Sequence, residues 1–510
     1  MIRMLGVLAA LSLLATPAAA QKSKDTLRLA LGDAIQAVNY YLDPKPESIF
    51  ESEAIHDTLI IFDEKNFKYE PLLATAWTQI DDTTLELDLR NNVKWHDGQP
   101  FTADDVIFTY NWIQDPKTHI RFKSNWDFIS KVEKAGPNKV RIITRAPTPY
   151  QLTRIAYLNF MMPEHSFGHA QDEMVWAATK PIGTGMYKVV SVDKDKALVM
   201  ERNPDYRHGG TVKAPSNIGR MELRPIPDAG TQVAEFLVGN LDVMRQALDQ
   251  AEDLAKKPGV ALSIGQGTGY VYIAFDAKGR SGVKPLMDPA VRRALLMTID
   301  RQAALKLSIG DHQLPVPKTM CWEFQAGCGF TKSYPAYDPA AAKRALAEAG
   351  YPDGFEVEIT TFTTESIKQV AQLVANGFRA AGVKATVAPR TIDTYRKMQG
   401  DGKIQVIVAG WPGGGAPDVQ GTIDFIYAPP ESRDYTGDKT LQEMAAKSIT
   451  LMDPAARTAL GTQVFDRSIE QAYFMPIVPS GSAFVHTADV TVKPGSFNDY
   501  GVNPQDIRWK

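Results

Sequence analysis

The chain has 510 residues, room for two or three domains, and its composition is that of an ordinary globular protein. Its 56 lysines and arginines nearly balance 59 aspartates and glutamates. That leaves no basic field for nucleic acid or for an anionic membrane surface, and no nucleic-acid partner is expected.

Residues 1–20 differ in kind from the rest of the chain. Arg3 supplies a positive start, residues 5–14 an apolar stretch, and Ala18-Ala19-Ala20 a small-residue cleavage site. The stretch is too short to span a bilayer, so cleavage before Gln21 and export of a soluble chain are expected. The residue directly after the cleavage site is Gln21 and not a cysteine, which argues against lipid attachment. No later segment approaches the roughly 20 apolar residues of a spanning helix.

Residues 26–30 alternate as a strand with Leu27 and Leu29 on one face. Tyr40 and Tyr41 come next as adjacent aromatics, readable as packing residues or as part of a binding surface. Residues 53–59 read as helix and 59–62 as extended chain. Residues 84–90 alternate strictly, placing Leu85, Leu87 and Leu89 together. Asp97-Gly98 marks a turn, and Thr102 with Asp105 forms a capping box that starts a helix through Trp112. His96 and Asp97 read as turn or packing residues, and Asp104 and Asp105 as acids suited to a helix N-terminus.

The two cysteines, Cys321 and Cys328, bracket six residues that include a glycine. A disulfide suits an exported chain; half a metal site or two free thiols are the alternatives. Further along, Asp338 caps a helix with Pro339 at its first position and Gly350 at its end. Residues 355–359 alternate as a strand. Ile367, Val370, Ala371, Val374, Phe378 and Ala381 then form a helical stripe stopped by Gly382, and residues 383–387 are extended again. Strand, helix, strand predicts a parallel βαβ unit, which residues 404–409 should join. Ligands in such sheets bind beyond the carboxyl ends of strands. Trp411 and three consecutive glycines, 413–415, lie at one such end, with Asp418 beyond. Trp411 reads as a ligand platform or as a core cap. Asp453-Pro454 starts a last helix, and residues 474–479 form a strand heading back.

Catalytic constellations are missing from the sequence. It holds no Gly-x-Ser-x-Gly elbow and no His-Glu-x-x-His pair, and Gly183-Thr-Gly185 lacks the third glycine of a dinucleotide fingerprint. Gly413-Gly-Gly415 is not followed by Lys-Ser/Thr, so no nucleotide loop is expected. The eight histidines show no ligand spacing, so neither metal nor cofactor is expected. A secreted glycosidase-type enzyme is the distant alternative to a non-enzymatic role.

Several segments together resemble the family 5 extracellular solute-binding proteins, the peptide, nickel and opine receptors of bacterial ABC importers. They are Pro71-Leu-Leu-Ala-Thr-Ala-Trp77, Val93-Lys-Trp-His-Asp-Gly-Gln-Pro-Phe-Thr-Ala-Asp-Asp-Val106, Pro181-Ile-Gly-Thr-Gly-Met-Tyr187, Asp288-Pro-Ala-Val-Arg292 and Gly410-Trp411. Asn92 stands where the family usually has a glycine. The resemblance implies an α/β fold of the bilobal periplasmic-binding-protein type (type II, the large three-subdomain form), with mixed sheets and a two-strand hinge near Gly269 and Ser480. Lobe I would comprise residues 21–269 and 480–510, with an inserted subdomain at about 50–180; lobe II would comprise 270–479. It further implies a periplasmic monomer that delivers a peptide or peptide-like solute to membrane permease subunits. An opine, a sugar conjugate or an oligosaccharide is the alternative cargo. Ligand contacts are expected from Gly410, Trp411, Gly414, Asp418, Arg390, Tyr270 and Tyr41. Peptide-binding members carry an amine-binding acid where this chain has Gly414, and an arginine where it has Thr361-Phe-Thr-Thr-Glu365. Both departures argue against a dipeptide held in the standard pose.

Overall fold

The computed structural model describes residues 25–510 apart from 121–122, 180, 311, 313, 414–416, 496 and 498–499. The expected leader and Gly414 lie outside the described residues.

Two long strands, Val260–Phe275 and Phe474–Thr487, run antiparallel through the middle of a ten-stranded sheet. On one side lie Val243–Gln246, Thr26–Leu31, Arg220–Pro225, Ala197–Arg202 and Tyr187–Asp193. On the other lie Val406–Trp411, Glu356–Phe362 and Lys384–Arg390. The long strands pair from Val260↔Thr487 to Gln266↔Gly481, lose register, and resume at Tyr270↔Pro479. Before the break they pair with the first group of strands, after it with the second. One sheet therefore serves two lobes, and the interruption lies between them. A Cβ on Gly265 would lie 2.3 Å from the Gly495 nitrogen, so only glycine lets the C-terminal loop pack against this crossing.

In the second lobe both sheet faces are covered, as expected of parallel strands joined by helices. Val271, Ile273 and Phe275 join one core with Val357, Ile359, Val374 and Phe378. Tyr270, Tyr272 and Ala274 alternate onto the other, with Ile407, Phe465 and Tyr473. The expected βαβ unit is present: Glu356–Phe362 and Lys384–Arg390 are parallel, joined by helix Glu365–Ala380. The Asp338 carboxylate accepts the Ala341 amide at 2.8 Å and so caps Pro339–Glu348.

In the first lobe Leu27, Leu29 and Leu31 share a core with Phe50, Met221 and Phe484. A separate four-stranded antiparallel sheet, residues 74–144, buries Leu85, Leu87 and Leu89 under helix Ala103–Gln114. The Thr102–Asp105 box starts that helix, with Asp105 accepting the Thr102 amide at 2.8 Å. The helix expected over 53–59 runs instead from Pro46 to Ile55. Proline suits a first turn whose amides have no intrahelical partner, and His56 leaves the helix in extended conformation.

The residue after His56 ties distant parts of the first lobe together. The Asp57 carboxylate, 0% exposed, accepts from Lys213 Nζ at 2.6 Å, His208 Nε2 and Thr184 Oγ1 at 2.8 Å, and Tyr206 Oη at 3.1 Å. Burial opposes its ionisation, but Lys213 and His208 outweigh burial and hold it well below the usual carboxylate range. Because the folded value is depressed, Asp57 contributes stability above the unfolded value of about 3.9 and loses it as pH falls towards the folded value. Asp57→Ala leaves the Lys213 ammonium buried and unpaired, and denaturant unfolding at pH 7 should show a loss of about 3–5 kcal/mol. Asp57→Leu with Lys213→Met should recover only the share due to the unpaired ammonium, because Thr184, Tyr206 and His208 still lose their acceptor.

Candidate functional site

A cavity of about 650 Å³ opens in the first lobe, with Pro417 of the second lobe at its edge. Its lining comes from Glu53 and Thr58, the strand and turn at 61–66, Leu72, the stretch 153–160, the loop 211–214, the C-terminal segment between Lys493 and Arg508, and Pro417 from the second lobe. Phe62, Tyr157, Phe160 and Phe497 supply aromatic walls. Lys65, Lys493 and Arg508 line it together with Glu53, Asp63, Glu64 and Asp506, while Lys213 is already paired with Asp57. The mixture of signs suits a ligand that itself carries both charges, since a buried charge needs a partner. Burial raises the Asp506 pKa despite a bond from Asn503. Burial likewise opposes ionisation of Asp63, but bonds from Asn66 and the Lys65 amide lower its pKa overall. The Phe497 amide donates to Glu64 Oε1 at 2.9 Å and ties the C-terminal loop to the turn facing it.

The lobes also touch beside the cavity. Arg154 of the first lobe donates to Gln420 Oε1 of the second at 2.5 Å, and Gln420 donates onward to Asp424. Burial pushes the Asp424 carboxyl up to about 6, with Arg154 pulling the other way.

Of the residues expected to hold ligand, those described do not line this cavity. Tyr270 is 1% exposed and donates to the Met320 carbonyl at 2.6 Å, a core tyrosine with its hydroxyl satisfied. Tyr41 is 2% exposed, packed against Trp112 and Trp126, and donates to the Phe160 carbonyl at 2.8 Å. It supports a cavity residue from behind without facing the cavity. Asp418 is 3% exposed and gripped through both oxygens by Arg457, each contact 2.6 Å, so its charge is already matched. Arg390 ends the edge strand and pairs with Glu358 at 3.3 Å. Trp411 is half-buried, stacked on Phe425 at 4.7 Å, with Nε1 donating to Thr422 Oγ1 at 3.3 Å. Neither it nor Gly410 lines the cavity; Pro417, further along, does. Cys321 and Cys328 are joined by a disulfide. Among the described residues no group of three or more His, Cys, Asp or Glu side chains is arranged to hold a metal ion. No helix among them is long and apolar enough to cross a membrane.

Two lobes on a two-strand crossing, with a mixed-charge cavity in the first edged by the second, define a solute-binding architecture. Residues 68–433 match the family described as bacterial extracellular solute-binding proteins, family 5, middle region, and the chain belongs to that family. It is thus a solute-binding protein of the kind that works with the permease of an ABC importer. The chain is 28% identical over 406 residues to Heme-binding protein A of Haemophilus influenzae, spanning 72% of this chain and 70% of that protein. It is 25% identical over 446 residues to the glutathione-binding protein GsiB of Salmonella typhimurium, spanning 84% of each. The crystal structure of CtaP, an ABC transporter substrate binding protein from Listeria monocytogenes, superposes with a TM-score of 0.83. Its identity is 18%, and the match covers 95% of this chain and 99% of that one.

These placements separate structural from binding roles. Tyr270→Phe should lower stability by about 1 kcal/mol in denaturant unfolding, the worth of one hydrogen bond, and leave ligand affinity unchanged. Asp418→Ala should cost about 3–5 kcal/mol, because the Arg457 guanidinium stays buried without its partner.

Proposed function

We propose that this protein captures a small peptide-like solute bearing both charge signs, a short peptide or a glutathione-like conjugate, and releases it unchanged to its permease. The observation that carries this is the cavity's lining by both acidic and basic side chains between aromatic walls. Its volume falls within the range of small-molecule sites. The similarity to a glutathione-binding protein supports the same class. The ligand meets the 61–66 wall and the C-terminal segment of the first lobe, and Pro417 of the second. The lobe division, 21–269 with 480–510 against 270–479, is supported by the loss of register between Gln266 and Tyr270. Export to the periplasm as a monomer, after cleavage before Gln21, completes the reading.

Purified mature protein should be screened by thermal shift against short peptides, reduced glutathione, agropinic acid, hemin and an oligosaccharide. A ligand of the proposed class present at about 100 times its Kd should add about 2.7 kcal/mol to unfolding. Native mass spectrometry should then recover it unaltered. Stabilisation by hemin or the oligosaccharide alone would overturn the ligand class, and conversion of the ligand would overturn the receptor role.

A further inference from the structure

The short loop closed by Cys321–Cys328 belongs to the second lobe, yet its side chains reach both the hinge and the cavity wall of the first. Trp322 is buried, and its Nε1 donates at 2.7 Å to the carbonyl of Thr268, inside the break between the long strands. The Trp322 ring stacks on Phe324 at 6.0 Å with the planes 8° apart. Phe324 stacks in turn on Phe497 at 5.1 Å and 20°, and meets Phe67 at 5.5 Å. Both of those partners belong to the first lobe. Phe497 lines the cavity, and Phe67, 51% exposed, sits in the turn beyond the strand Ile60–Asp63. On its other side the loop pairs with the segment after Trp411. The Ala326 amide donates to the Pro417 carbonyl at 2.8 Å, and the Val419 amide donates to the Ala326 carbonyl at 3.1 Å. Pro417 is the second lobe's contribution to the cavity lining.

One loop thus sets cavity walls on both sides of the cleft while bonded to the hinge. We propose that this disulfide-bonded finger is the closing element of the capture site, in which Phe324 acts as a positioning residue. It holds Phe497 and Phe67 of the first lobe against the second, while Ala326 sets Pro417 and the crosslink keeps the two contacts at a constant spacing. A crosslink narrows the set of conformations open to the loop, so reduction should loosen the finger without removing any of its side chains. Because Trp322 bonds the strand where register is lost, movement at the hinge and withdrawal of Phe324 occur together. The inference rests on the cavity being the capture site.

Hydrogen exchange of the mature protein, held closed by the member of the thermal-shift panel that stabilises it, tests it. Because that solute is shown to bind beforehand, a wrong ligand class is recognised before exchange is read. Phe324→Ala should speed exchange about two- to tenfold in first-lobe peptides covering 60–71 and 493–508, across the cleft from the substitution. Phe67→Ala, an exposed change that leaves folding intact, should produce the reciprocal effect in peptides covering 321–328. Mild reduction of the native disulfide should reproduce the Phe324→Ala pattern, and Phe324→Tyr should restore protection. Changes confined to the mutated lobe would reduce the finger to local structure and overturn the proposal. An unchanged first lobe after reduction would remove the crosslink from it.

Discussion

Backbone hydrogen bonding between Val260–Phe275 and Phe474–Thr487 keeps two lobes in a single sheet, and its loss of register between Gln266 and Tyr270 separates them. A continuous ladder would resist relative rotation, since each pair of strand bonds fixes the next. Where the ladder is interrupted, a few residues can absorb the change in backbone angles, which is how hinge closure works. The rest of the molecule is arranged around this point. The C-terminal loop packs on it at Gly265, the disulfide finger bonds it at Thr268, and the cavity opens beside it. A ligand touching both lobes shifts the open and closed populations by its differential affinity for them.

Much of the framework is legible in the sequence because it is encoded locally. Leu85, Leu87 and Leu89 announce a half-buried strand, and the stripe from Ile367 to Phe378 announces a helix, through periodicity alone. Caps at Thr102 and Asp338 lie within a few residues of the amides they satisfy. The helix at Pro46 escapes its correct placement because a run of turn-forming residues, Asp43-Pro-Lys-Pro46, obscures a start that proline itself favours.

The site is far less legible, for physical reasons. Its walls come from segments separated by up to several hundred residues, and no local pattern links Phe62, Lys213 and Phe497. The alternation of Tyr270 and Tyr272 correctly indicates a shared face. It cannot reveal that helices and loops cover both faces of that strand, leaving neither for a ligand. Asp418 looks available in the sequence, but folding brings Arg457 to it, two buried charges that satisfy one another. Trp411 suggests a platform because it ends a strand, and in the fold Phe425 stacks on its ring and Thr422 takes its Nε1 bond while the residue stays half-buried. Further along from that strand end, Pro417 reaches the cavity lining.

The central claim is that capture is closure about the two-strand crossing. Small-angle scattering of the mature protein, alone and saturated with the solute that stabilises it in the thermal screen, tests this directly. The account predicts a smaller radius of gyration on saturation, with the two lobes unchanged in themselves. Tight binding with no change in radius would contradict it.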